Sequence, residues 1–141
     1  MSSEMTWQKL SSSRTLLENP QQGLLKMRVE KGWGHEEIFA STETYCGKLL
    51  CFDEGKKFSM HFHRDKDETW YVLAGEFELT IIDTTKAQSR VTRMNKGDVW
   101  RNKPLLPHQL RCVSGPGVII EVSSKDTVED NYRVLPGDSQ A

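Results

Sequence analysis

His61 and His63 stand one residue apart, Glu68 follows after four more positions, and glycines at 55 and 75 bracket the three. On a β-strand, residues i and i+2 share a face and lie about 7 Å apart, so the two imidazoles can reach one point. Glu68 opens the next apolar run after the Arg64–Asp67 turn. Across an antiparallel pair it would face the same interior. A further ligand must come from the remaining histidines: His35, in a loop, or His108, which follows Pro107 at the head of a strand. Three imidazoles and one carboxylate suit Mn, Fe, Co, Ni, Cu or Zn. Such a set leaves one or two positions open for water or substrate, as catalytic sites do.

The elements that must position these groups are short and β-like. The candidate strands are 37–40, 45–52, 57–63, 68–74, 76–82, 89–94, 98–102, 108–113 and 117–122, separated by Gly, Pro, Asn and Asp clusters. This spacing predicts an all-β sandwich or barrel. No stretch keeps a helical period. Residues 1–25 read as an N-terminal extension or arm, with loop chemistry at Ser11–Ser13 and Asn19–Gly23 and a short helical turn at Leu16-Leu17. Residues 26–135 form the barrel, and residues 136–141 a flexible tail. Alternation places Ser59, His61 and His63 on one face of their strand and Phe58, Met60 and Phe62 on the other. If the histidines point inward, three large apolar side chains point out, and a homodimer is expected to cover them.

Composition narrows the function. Nineteen Lys+Arg against twenty Asp+Glu, a net charge of −1, argue against nucleic acid or an anionic membrane as partner. The longest apolar run, Trp70 to Ala74, is five residues and spans no bilayer. The start of the chain lacks the blocks of a secretory signal, and three cysteines form no disulfide framework or metal knuckle. A soluble, reduced, cytoplasmic domain acting on a small molecule is expected.

The pattern resembles the cupin superfamily. Gly55, His61, His63, Glu68 and Gly75 match its first motif, and Gly97-Asp98, Pro104 and His108 its second, although the glycine often found shortly before that histidine and the asparagine after it are absent. The resemblance covers residues 29–122. It implies a cupin-type double-stranded β-helix, a jelly-roll barrel, with one divalent transition metal (Zn, Mn, Fe, Ni or Co) held inside by His61, His63, Glu68 and His108. It also supports dimerisation. Within cupins the chain is similar to the mannose-6-phosphate isomerase-like group, through Lys31-Gly32-Trp33-Gly34, Lys48, Glu121-Val122 and Glu129–Arg133. Gly32 stands where that group usually has proline.

The resemblance implies a sugar or sugar-phosphate isomerase or epimerase with the metal as Lewis acid. Glu121, Glu36 or Glu37 would move the proton. Lys48 would act as acid or charge stabiliser, and Arg133, Arg101 or Arg111 would fork onto a phosphate or carboxylate. Trp70 and Cys112 are expected to line the pocket, because strand parity turns Trp70 and Val72 inward with Glu68, and Leu110 and Cys112 inward with His108. Phe77, Leu79 and Ile81 are expected to fill the closed end. An iron-dependent dioxygenase and a non-catalytic carbohydrate-binding module are the alternatives.

Overall fold

The computed structural model describes residues 6–11, 14–19 and 24–141, with side chains from Met27 onward. Among the described residues eleven strands follow in order: β1 (Thr6–Ser11), β2 (Arg14–Asn19), β3 (Leu24–Lys31), β4 (Gly34–Ser41), β5 (Tyr45–Phe52), β6 (Met60–Phe62), β7 (Glu68–Asp83), β8 (Gln88–Met94), β9 (Val99–Asn102), β10 (His108–Ser124) and β11 (Tyr132–Leu135). A 3-10 turn at Asp138–Gln140 completes the description. Leu16 and Leu17 lie on β2, not in a helical turn. The loop residues expected at Ser12–Ser13 and Pro20–Gly23 lie outside the described residues. Among the described residues, no helix is long and apolar enough to cross a membrane.

All pairings are antiparallel. One path runs β1-β2-β3-β4-β5-β10-β6-β11, and β7 joins β10 to β8 and β9. The result is the expected all-β jelly roll, one curled sheet with its apolar side chains turned inward. Trp33 stacks on Phe52 at 4.4 Å, and Phe52 meets the edge of Phe77 at 5.1 Å. Leu50, Trp70, Val72, Leu79, Leu110 and Ile119 complete the centre.

Two expected breaks are bulges inside long strands. Gly75 does not end a strand: it adopts φ +85° within β7, and a Cβ there would lie 2.8 Å from the Cα of Gly117. Glycine permits both the left-handed backbone and the close approach. The bulge inverts parity, so Trp70 and Val72 point inward before it and Phe77 and Leu79 after it. The run around Gly115–Gly117 does the same in β10, where Leu110 and Cys112 are buried on one side and Ile119 and Glu121 on the other.

The face of Phe58, Met60 and Phe62 is covered from within the chain. Phe58 precedes β6, and its ring joins the core 5.8 Å from Trp70. β11, which the spacing did not suggest, pairs with β6 and places Leu135 opposite Met60 and Tyr132 opposite Phe62. Met60 is buried, and Phe62 stacks on Tyr132 at 5.1 Å. These side chains therefore make no demand for a second subunit. The segment expected to be a tail is pinned. The Asp138 carboxylate accepts the Lys57 N–H at 2.7 Å, and Ser139 Oγ accepts the Gly32 N–H at 3.0 Å.

Candidate metal centre

Three short approaches bring the histidines together. His61 sits on β6, His63 just after it, and His108 at the start of β10, where it pairs directly with His61. Their ring centroids are 4.6 Å (61–108), 5.0 Å (61–63) and 5.6 Å (63–108) apart. One nitrogen from each lies within 4.8 Å of the others.

The tautomers follow from the backbone. His61 Nδ1 lies 2.7 Å from the Ser59 carbonyl, His63 Nδ1 2.6 Å from that of Asp130, and His108 Nδ1 2.8 Å from that of Leu106. A carbonyl only accepts, so each Nδ1 carries a hydrogen and each Nε2 is the nitrogen turned toward the centre. This is the arrangement that orients metal-bound imidazoles. Burial, reinforced by the neighbouring histidines, pushes the His61 pKa down to about 3, and burial also lowers that of His63. Both rings are thus neutral, the ligating form.

His108 Nε2 is the test of fit. It is buried and has no hydrogen-bond partner among the described residues, although Glu68 Oε1 stands 3.0 Å away in poor alignment. An orphaned buried polar atom costs about 1–3 kcal/mol, and a cation among the three nitrogens would satisfy this one. Glu68 is placed to join. Its Oε1 also accepts Asn102 Nδ2 at 3.2 Å, while Oε2 lies 3.8 Å from His63 Nε2 and 3.1 Å from Lys66 Nζ. Burial pushes the Glu68 carboxyl up, but Lys66 and the histidines together hold it well below the usual range.

A charged wall continues from Glu68. Trp70 of β7, Glu121 of β10 and Lys48 of β5 are successive cross-strand neighbours on the inner face. Trp70 Nε1 donates to Glu121 Oε1 at 3.0 Å, and Lys66 Nζ to Glu121 Oε2 at 3.1 Å. Lys48 Nζ lies 2.6 Å from Asp126 Oδ2 and 3.4 Å from Glu36 Oε2, and Asp126 Oδ1 is 3.3 Å from Lys66 Nζ. Burial, with Glu68 adding to it, pushes the Glu121 pKa up to about 7 against the pull of Lys66 and Lys48. Burial would raise Asp126, but the two ammonium groups bring it down to about 2. Burial alone would lower both lysines, yet the surrounding carboxylates raise them. Two ammonium groups thus face four carboxylates, Glu36, Glu68, Glu121 and Asp126. A divalent cation at the histidines would balance a fully ionised wall.

These groups line a cavity of about 220 Å³. Of the residues singled out in the sequence, His61, His63, Glu68, Trp70, Lys48, Glu121 and Arg133 all line it, while His108 is not part of the lining and reaches it through Glu68, 3.0 Å away. Arg133 stands at the exposed mouth, paired across the sheet with His61. Arg101 and Cys112 are not brought to the cavity. Asp67 holds the Arg101 guanidinium at the surface through contacts of 3.0 and 2.6 Å. Cys112 is fully buried against Gly115, Gly117 and Phe77, where burial pushes its thiol pKa up. His35 lies on β4, 3.9 Å from Glu37.

Three participants were not expected. Lys66 lies in a turn of charged residues, yet it is 4% exposed; its only signal is its position two residues before Glu68. Asp126 sits in the β10–β11 loop with no motif to mark it. The Asp130 carboxylate accepts the backbone N–H groups of Arg64 and Lys66 at 2.6 and 2.9 Å and so fixes the turn that carries Lys66.

The fold agrees with comparison to known proteins. A family model described as the cupin domain matches residues 48–123, more than half of the chain. The chain belongs to the cupin family. Among solved structures it is similar to KdgF from Halomonas sp., at 18% identity and a TM-score of 0.57 over 88% of this chain and 89% of that one. It is also similar to oxalate decarboxylase from Bacillus subtilis (18% identity, TM-score 0.65, 90% of this chain and 33% of that one) and to the capsular polysaccharide assembling protein CapF from Staphylococcus aureus (14%, 0.66, 78% and 34%). It spans about a third of the length of the last two. At these identities the likeness is one of fold. No curated protein sequence matches the chain.

Proposed function

We propose that this cupin is a metal-dependent isomerase or epimerase acting on a sugar or sugar-phosphate. The observation that carries the reading is the convergence of three imidazole nitrogens beside a buried carboxylate–lysine wall in a cavity the size of one small molecule. His61, His63, His108 and Glu68 would hold one divalent transition ion (Zn, Mn, Fe, Ni or Co), which supplies Lewis acidity toward a carbonyl and its neighbouring hydroxyl. The chain supplies the rest. Glu121, with Glu36 as a second candidate among the wall's carboxylates, takes a proton from one carbon and returns it to the next. Lys48 balances the charge that develops, and Trp70 and Lys66 hold Glu121 in place. Arg133, at the mouth, binds an anionic substituent. The free thiols suit a reduced, cytoplasmic setting.

Proton exchange tests the reading. The metal-loaded protein is incubated in deuterated water with a panel of sugars and sugar-phosphates, and deuterium at the carbon beside the carbonyl is followed by NMR. Incorporation that disappears in Glu121→Gln is expected. Ligand binding without exchange would replace the reading with a carbohydrate-binding module. Oxygen consumption by an iron-loaded sample would replace it with a dioxygenase.

A further inference from the structure

The ladder that carries His61 breaks just upstream of it. β11 pairs with β6, Tyr132 opposite Phe62 and Leu135 opposite Met60, and the next residue is Pro136. Proline has no N–H to give, so the pairing stops there. Lys57, Phe58 and Ser59 precede β6 and belong to no strand. β10 holds one edge of this segment: the Phe58 N–H donates to the Leu110 carbonyl at 3.3 Å, and Lys57 bridges Arg111. The N–H and C=O of Lys57 face the other edge and need partners of their own.

Asp138 satisfies both. Its carboxylate accepts the Lys57 N–H at 2.7 Å, and its own N–H donates to the Lys57 carbonyl at 2.9 Å. One residue thus stands in for the missing strand. The packing around it is close. Gly137 is buried on the peptide between Phe58 and Ser59, where an added Cβ would lie 2.5 Å from the Ser59 nitrogen. From the opposite side the Gly32 N–H donates to Ser139 Oγ at 3.0 Å.

The clasped segment ends on the residue that orients His61. The Ser59 carbonyl lies 2.7 Å from His61 Nδ1, and Ser59 Oγ lies 3.2 Å from the same nitrogen. A shift of that carbonyl would free the ring to turn, or to move its hydrogen to the nitrogen that faces the centre. Ser59, Ser139 and Gln140 also line the same cavity as His61.

We propose that Asp138 is a positioning residue of the metal centre: by clasping Lys57 it fixes the Ser59 carbonyl, and through it the tautomer and direction of His61. The proposal rests on the metal centre and not on the reaction assigned to it. It gives the turn at Asp138–Gln140 a role in the site, although none of its residues is a ligand.

Two measurements on the full chain test it: zinc affinity by competition against a chelating dye, and imidazole nitrogen NMR of the metal-free protein. Asp138→Ala should weaken zinc binding about 10-fold, the low end of what groups that orient ligands contribute. Its His61 signals should show a mixture of tautomers in place of the single Nδ1–H form. Asp138→Asn, whose amide oxygen can still accept the Lys57 N–H, should restore most of both. Gly137→Ala drives a methyl into the peptide before Ser59 and should reproduce the defect through a different contact. Circular dichroism confirms that the variants compared are folded. A purely structural role would leave the tautomer and the zinc affinity of the folded protein unchanged. That result in both Asp138→Ala and Gly137→Ala would overturn the proposal. His108→Ala separates the two levels. Weakened zinc binding there, with none in the Asp138 variant, would refute the clasp alone. Unchanged binding in His108→Ala would remove the metal centre and the proposal with it.

Discussion

Lys66 Nζ lies 3.1 Å from Glu68 Oε2 and 3.1 Å from Glu121 Oε2, so one buried ammonium joins the candidate ligand carboxylate to the carboxylate on the wall. Replacing it with a neutral side chain leaves both acids buried without their shared counter-charge. Lys66→Met is expected to destabilise the metal-free protein by about 3–5 kcal/mol, as breaking a buried pair does. Urea unfolding measures the loss. Added metal should restore part of it, because the ion supplies positive charge at Glu68; no difference between metal-free and metal-loaded Lys66→Met would count against that coupling.

The three converging histidine nitrogens make a sharper prediction. His61→Ala, His63→Ala and His108→Ala should each lower divalent metal affinity by at least about 100-fold, since even the partners that orient ligands are worth 10–100-fold. Competition against a chelating dye reads this directly. Glu68→Gln should lower it less, because its amide oxygen can still coordinate while its charge is lost. Unchanged occupancy in the His108 variant would remove the centre as drawn.

Asp126 predicts an acid transition. Its pKa lies at about 2 in the fold against an ordinary 3.8, because Lys48 and Lys66 favour the charged form. A depressed carboxyl contributes stability that is complete above the unfolded value and lost as pH falls, here between about pH 4 and pH 2. At roughly 1.4 kcal/mol per pKa unit the contribution is about 2 kcal/mol. Asp126→Asn should reduce stability at pH 6 by about that amount and flatten the decline between pH 4 and pH 2. A variant whose acid limb superimposes on the wild type would contradict the assignment.

How far the sequence carried these conclusions depended on whether a side chain's role was local. His61, His63, Glu68 and His108 announce themselves because strand period and turn position put them on one face. Phe77, Leu79 and Leu110 follow from the same period. Gly75 reads as a stop in the sequence because its φ of +85° is invisible in a residue string, where a bulge and a turn look alike. The cover over Met60 is not legible in the sequence because β11, four residues with every side chain exposed, carries no alternation to betray it. Lys66 and Asp126 stayed hidden for a related reason. Their burial comes from partners more than fifty residues away in sequence, Glu121 for the first and Lys48 for the second. Arg101 shows the converse: a cation suited to a phosphate is engaged by Asp67 at the surface, a pairing no spacing rule reveals.

Gly75 ties this legibility to stability. The wall needs Trp70 inward and the core needs Phe77 inward, two positions of opposite parity on one strand. Only the bulge reconciles them, and it requires a positive φ with Gly117 Cα 2.8 Å and the Ser114 carbonyl oxygen 2.9 Å from any added Cβ. Gly75→Ala therefore pays for both the left-handed backbone and the collision, at least about 2 kcal/mol together. Gly55, with φ +81° and nothing within 4 Å of an added Cβ, isolates the backbone part alone. Gly55→Ala should cost about 1 kcal/mol. Thermal unfolding of the two variants separates the contributions. Equal losses would mean that the approach of β10 to β7 at Gly75 is not what fixes the parity change.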